Sequence, residues 1–471
     1  MAVVALTAAL IVADTLAQWR HLRVSPAVNP ATPAVVQTAP NSTAAANPVK
    51  EYIYAGGRLL ATEESAATPV PTPTPCGLPA NVNLLISEFR LRGPQGATDE
   101  FIELYNNSDA SLTVCTPDGS SGWAVATADG ATKFVVPNGT IIPPRAHYLG
   151  ANTSGSSDLV SYSLGGYAAP DNDFMAAYTP PPSPPGDLEL LAIPHFEDNS
   201  DIADNTGLAL FNTSNPGNWT LSNRFDAVGF SSNADELYRE GTGLTPIDAV
   251  DGEHSFVRRA GNTGAPQDTG NNAQDFLLIS TDAGAYGRTG AVGDTVNGPS
   301  ILGAPGPEGL TSPKPQLVTA SLVDPNVSAS SSPNRSRCGP CTGPNAAYGT
   351  MTIRRKFTNQ TGQTITRLRF RVIDITTLNS PGYSPNGTQS DLRELNSVDT
   401  TVTLSDGASV PVKGTVLEGA SQPLGGGLST SLLVTLPASG LPAGESVNVQ
   451  FVLGVQKEGS FRFVVLMESL P

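Results

Sequence analysis

Residues Leu84 to Leu112 read LLISEFRLRGPQGATDEFIELYNNSDASL, two short strand patterns separated by a turn-rich loop. In the first, Leu85, Ser87 and Phe89 alternate with Ile86, Glu88 and Arg90. In the second, Phe101 and Glu103 alternate with Ile102 and Leu104. Strand side chains point to opposite faces with period two, so each run is expected to lay one face on a core. Asn106, Asn107, Ser108 and Asp109 close the second run with residues that favour turns. One carboxylate stands in each strand, Glu88 and Glu103, among apolar neighbours.

Further period-two runs follow on both sides of residue 300. Lys133 to Pro137 and Ala146 to Gly150 look like two further strands. Beyond them, Met351, Ile353 and Phe357 alternate with Thr352, Arg354 and Lys356, and Leu368, Phe370 and Val372 alternate with Arg367, Arg369 and Arg371. Val447, Val449, Phe451 and Leu453 form one face of a later strand, and Phe461, Phe463, Val465 and Met467 one face of the last. Short alternating runs separated by turns are the pattern of two-sheet sandwiches. Gly 47 and Pro 41 make nearly a fifth of the 471 residues, and charged residues only 14%, which favours an all-β chain over a helical one. That length calls for more than one folded unit.

The first of these units carries a resemblance. Ile86-Ser87-Glu88, then Glu100-Phe101-Ile102-Glu103-Leu104-Tyr105-Asn106, then Gly122-Trp123-Ala124-Val125 resemble the recurring strands of the lamin-tail domain, an immunoglobulin-like β-sandwich. The resemblance implies a binding or structural module, with the Trp123 indole packed between the sheets. It also implies that Glu88 and Glu103, although paired carboxylates can divide acid and base work, are strand residues meeting a backbone amide or an arginine such as Arg90 or Arg92. The domain organisation follows: an apolar leader-like or anchor segment 1–24, a Pro/Ala/Thr-rich linker 25–77, a lamin-tail-like sandwich 78–305 with a long insertion 151–205, a second linker 306–315, and a C-terminal β-sandwich 316–471.

The apolar run Ala2 to Ala13 is too short to span a bilayer comfortably and fits a signal-peptide core, truncated or retained as a membrane anchor. The tract after it, ending in Pro69-Val-Pro-Thr-Pro-Thr-Pro75, cannot bury enough apolar surface to order itself and reads as a disordered, extended spacer. Within it, Tyr52-Ile-Tyr-Ala-Gly-Gly-Arg-Leu-Leu60 resembles one element of bacterial tyrosine–aspartate surface repeats. A single copy cannot build a repeat array, so a short hairpin is expected.

The four histidines, His21, His147, His195 and His254, share no metal-ligand spacing and stand beside no nucleophile motif, so neither a catalytic set, a metal nor a cofactor is expected. The acidic stretch with Glu197, Asp198, Asp201 and Asp204 has the oxygens of a calcium loop but not its spacing, and reads as a solvated loop. Cys338-Gly-Pro-Cys341 shares its letters with the thioredoxin motif but sits among Ser, Asn and Pro with no βαβ pattern, so a local disulfide clamp is expected. Cys76 and Cys115 remain as a second pair, tying the linker to the sandwich. Arg354, Lys356, Arg367, Arg369 and Arg371 would form a basic outer face if their strands pair as a hairpin across Asn359 to Gly362, suited to an anionic polysaccharide or an acidic protein.

A net charge of −16 disfavours nucleic acid as a partner. The resemblance, with the leader-like segment, implies a secreted or cell-surface binding or structural protein, with a protein or polysaccharide partner and its oligomeric state left open. The competing class is the accessory region of a secreted hydrolase (nuclease, phosphoesterase or glycan-active) or a polysaccharide-binding module.

Overall fold

The computed structural model describes residues 50–55, 58–64, 82–152, 200–232, 235–261, 264–284, 286, 299–310 and 312–471. The leader-like segment, most of the first linker with Cys76, and insertion residues 153–199 lie outside them. The chain divides into Met1–Thr72 and Pro73–Pro471. In the former, Lys50–Ala55 and Arg58–Glu64 form an antiparallel hairpin whose register shifts between Ile53 and Tyr54.

The larger unit is all β, built from two sandwiches. In the first, a four-stranded sheet runs in the order Arg224–Val228, Leu208–Phe211, Gly122–Thr127, Thr132–Pro137. It faces a six-stranded sheet ordered Ile301–Leu302, Phe276–Ser280, His254–Arg258, Leu84–Arg90, Phe101–Asn106, His147–Ala151. Trp123, Val125, Phe134 and Leu210 of the smaller sheet meet Ile86, Phe89, Ile102, Leu104 and Phe256 of the larger in one buried core. Trp123 is fully buried, and its indole N–H donates to the Cys115 carbonyl at 2.7 Å. An aromatic ring this large needs such an outlet for its one polar atom.

The opening strand departs from strict alternation. Its register against Phe101–Asn106 shifts between Ile86 and Glu88, so Ser87 is an extra residue and the phase flips. Ile86 and Phe89, three apart, therefore both reach the core, whereas strict alternation puts them on opposite faces. A bulge unsettles backbone pairing; here the Ile86 N–H donates to Asp226 Oδ2 at 2.6 Å and its carbonyl accepts from Arg258 Nε at 2.9 Å.

The second sandwich packs one five-stranded sheet (Lys314–Pro315, Phe463–Leu470, Arg367–Ile375, Ser431–Val434, Val416–Leu417) on another (Val318–Leu322, Thr350–Asn359, Ser446–Lys457, Asp391–Leu395, with Arg335–Cys338 also paired to Thr350–Asn359). Phe357, Phe370 and Phe451 meet at its centre, with ring centroids 4.6 Å apart for Phe357–Phe370 and 5.0 Å for Phe370–Phe451. Thr350–Asn359 and Arg367–Ile375 lie in opposite sheets. The expected hairpin across Asn359 to Gly362 is thus replaced by a crossing from one sheet to the other, because both strands carry an apolar face that the same core covers. Cys338 and Cys341 form a disulfide at the end of Arg335–Cys338, with Cα atoms 5.4 Å apart.

The sandwiches are joined by backbone as well as side chains. Ile301–Leu302, which pairs parallel with Phe276–Ser280, also reaches the second sandwich: Leu302 N donates to Leu378 O at 3.1 Å, Leu428 N to Leu302 O at 2.8 Å and Ala304 N to Leu428 O at 3.2 Å. Gly303 and Gly427 are needed at this approach, since a side chain on either would collide with the facing carbonyl of Leu428 or Leu302. The stretch 306–315, with the composition of a solvated linker, is instead packed into the seam: Glu308 is 2% and Ser312 3% exposed.

Candidate functional site

Two sheet faces that do not line a core meet at this seam. On the six-stranded sheet of the first sandwich, the bulge at Ser87 turns Glu88 away from the core, and alternation does the same for Glu103 and Tyr105. On the sheet of the second that carries Arg367–Ile375, Leu368, Phe370 and Val372 face inward, which leaves Arg367, Arg369 and Arg371 on the seam side. Glu468, the register partner of Arg369, stands on the same face. The segment between the sandwiches adds Glu308. A cavity of about 430 Å³ opens among them, lined by Glu88, Glu103, His147, Arg371 and Glu468 with the apolar Leu466.

Every carboxylate at the seam is held. Glu88 and Glu103 are Cα partners across the strand pair, a like-charge arrangement that destabilises unless each has its own donors. Glu88 accepts from Ser255 Oγ at 2.6 Å and Gly306 N at 3.1 Å. Burial, then the charge of Glu103, nonetheless push its carboxyl up to about 7, against the pull of Arg371. Glu103 accepts from Ser87 Oγ at 2.5 Å and, through its other oxygen, from Glu308 N at 2.7 Å. Arg369 Nε donates to Glu468 at 2.7 Å and its Nη2 meets Glu308, which Arg371 Nη2 also reaches at 2.8 Å.

His147 sits at the middle of this charge. Its Nδ1 is 3.0 Å from Glu103 Oε1 and its Nε2 2.8 Å from Glu308 Oε2, with the Tyr105 ring centroid 4.8 Å away. Ligand atoms of Glu103, His147 and Glu308 all lie within 4.8 Å of one another, and among the described residues no other three His, Cys, Asp or Glu side chains approach so closely. This gathers a residue of His147–Ala151, a carboxylate of Phe101–Asn106 and an acid from the interdomain segment, sites separated by dozens of residues in sequence.

The residues singled out from sequence fall in several places. The five basic residues do not share one face: Arg354 and Lys356 are on the sheet that carries Thr350–Asn359, where Arg354 donates to Gln450 at 3.0 Å and Lys356 is exposed. Arg367, Arg369 and Arg371 are on the other sheet and spend their charge inward, Arg367 on Glu418 at 3.3 Å. Arg90 and Arg92 do not reach Glu88 or Glu103. Arg90 holds Asp99 and Glu253, and Arg92 holds Asp204 and Asp251, both at 3.0 Å. Of the acidic stretch, Glu197 and Asp198 lie outside the described residues, and Asp204 is taken by Arg92. Cys115 is disulfide-bonded, while Cys76 lies outside the described residues. His254 is buried and its ring is pushed down to about 4 by burial and then by Arg90, so it is neutral at ordinary pH; His21 and His195 lie outside the described residues.

Glu308 and Glu468 carried no sequence motif. The one usable signal was electrostatic: three arginines alternating with core residues on a strand require acids opposite them. No helix among the described residues is long and apolar enough to cross a membrane. Comparison with family models, with curated proteins and with solved structures finds no match for this chain.

Proposed function

We propose that this chain is a non-catalytic binding or architectural protein of the cell surface or extracellular space, whose two sandwiches work as one body and take a protein or polysaccharide partner in the cleft they share. The observation that carries this reading is the cavity of about 430 Å³ at the seam. Clefts between domains are where ligand sites concentrate, and convergent polar groups in them give specificity. Glu88, Arg371 and Glu468 along its wall offer charged hydrogen-bond partners to hydroxyls, amides or a partner's charged side chains. The lamin-tail-like strands support the assignment to a binding or structural module, and the paired cysteines support an oxidising compartment.

A screen of the whole chain against glycans and surface proteins tests it. A partner bound in the cleft should lose about tenfold or more in affinity with Arg371→Ala, the weight of one charge-assisted hydrogen bond. Robust turnover of nucleic acids, phosphoesters or glycans by the purified chain would sink the reading in favour of a hydrolase.

A further inference from the structure

The charge at the seam does not balance around a neutral imidazole. Glu88, Glu103, Glu308 and Glu468 gather there against the guanidiniums of Arg369 and Arg371. His147, between Glu103 and Glu308, has a side chain only 10% exposed. Its Nδ1 is shielded from solvent and makes no directed hydrogen bond, although Glu103 Oε1 is 3.0 Å away. Native interiors leave few polar atoms in that state, and each asks for an explanation.

We propose that Glu103, His147 and Glu308 form a binding site for one divalent transition-metal ion, of the kind Zn²⁺ represents, at the seam between the sandwiches. The neutral imidazole carries one proton and one lone pair. Glu308 Oε2, 2.8 Å from Nε2, is placed to accept the Nε2 proton, which leaves the lone pair on Nδ1. A carboxylate behind the ring that sets the tautomer in this way is the usual support of a histidine metal ligand. The lone pair then points to the side where Glu103 Oε1 stands, and a 3.0 Å separation suits two ligand atoms each about 2 Å from one ion. Glu103 and His147 bind directly; Glu308 orients the ring and is itself held by Arg369 and Arg371. The remaining coordination positions face the cavity, open to water or to an oxygen of a bound partner. Mixed nitrogen and oxygen ligands fit zinc and its neighbours better than calcium.

The ion site lines the cleft proposed for the partner, but its test is separate. The full chain, stripped with a chelator and dialysed against Zn²⁺, should retain one ion as measured by elemental analysis. X-ray absorption of the zinc-loaded chain should show a nitrogen and oxygen shell with one imidazole. Glu103→Gln and His147→Ala should abolish that ion, and Glu308→Gln should weaken it about 10–100-fold, as loss of an orienting carboxylate does. Glu394→Gln, a buried carboxylate on Asp391–Leu395, a strand that supplies none of the three residues, should leave it unchanged. A folded wild-type chain that retains no zinc would overturn the proposal and leave His147 as an imidazolium bridging two carboxylates. Zinc retained equally by Glu103→Gln or by His147→Ala would overturn it too, placing the ion elsewhere. A chain that binds zinc but no partner would defeat only the functional reading.

Discussion

The interior of the first sandwich and the seam between the sandwiches are both buried, yet they are made of opposite materials. Inside, Trp123, Phe89, Phe134, Ile102 and Leu104 close on one another with a single polar outlet, the indole N–H. At the seam, Glu88, Glu103, Glu308 and Glu468 close on Arg369, Arg371 and His147. An apolar interior is non-directional and tolerates small shifts, whereas a buried charge is costly unless its partner is in place. The core therefore holds each sandwich together, and the seam specifies how one sits on the other.

Three substitutions would break or sharpen that contrast. Trp123→Ala should cost roughly 3–5 kcal/mol, as large truncations in a packed core do. A denaturant midpoint unchanged in the full chain would show that the indole is not a core residue. Arg369→Ala should cost about 3 kcal/mol, because it leaves Glu468 and Glu308 buried with one guanidinium fewer. The double replacement Arg369→Met with Glu468→Leu should cost less than Arg369→Ala alone, since no orphaned charge remains on that strand pair. If Arg369→Ala costs no more than an exposed pair, ~0–1 kcal/mol, the seam is wet and the contrast fails.

The third and smallest effect concerns Glu394, a buried carboxylate of the second sandwich whose two oxygens have no hydrogen-bond partner. Burial pushes its carboxyl up to about 8. From the ordinary carboxylate range up to about 8, the folded chain keeps a proton that the unfolded chain has released. Stability is therefore fully present at acid pH and is lost as pH rises through that window. Glu394→Gln, which cannot ionise, should match wild type near pH 4 and exceed it near pH 8, the gap widening as pH rises through that window. Urea melts at the two pH values decide this, and a difference independent of pH would show that Glu394 is not held protonated. The seam acids differ from it in having donors of their own.

Much of the fold was legible because a sandwich strand declares its core face by alternation. Leu368, Phe370 and Val372, or Val449, Phe451 and Leu453, could be assigned inward from spacing alone, and they are. Alternation also exposed what it could not interpret. It placed Arg367, Arg369 and Arg371 correctly on the non-core face, but a non-core face reads as solvent when only one strand is in view. The bulge at Ser87 was likewise invisible, since an inserted residue changes register only against a partner strand. That one shift sends Ile86 to the core and Glu88 to the seam, two residues that strict alternation places on one face.

Composition could not place residues 306–315 for the same reason. Glycine and proline mark a segment without regular structure, and such a segment is usually on the surface. Here it lies between two faces, and its Glu308 reaches His147 on one side and Arg369 on the other. By itself, the sequence determined the all-β class, the strands and the apolar face of each, because these depend on neighbours two residues away. Only the tertiary structure decided that the remaining charged faces meet each other. Glu103, His147, Glu308 and Arg369 are brought together by the stacking of two domains, and the attraction between their charges acts over a few ångströms of space that sequence distance does not record.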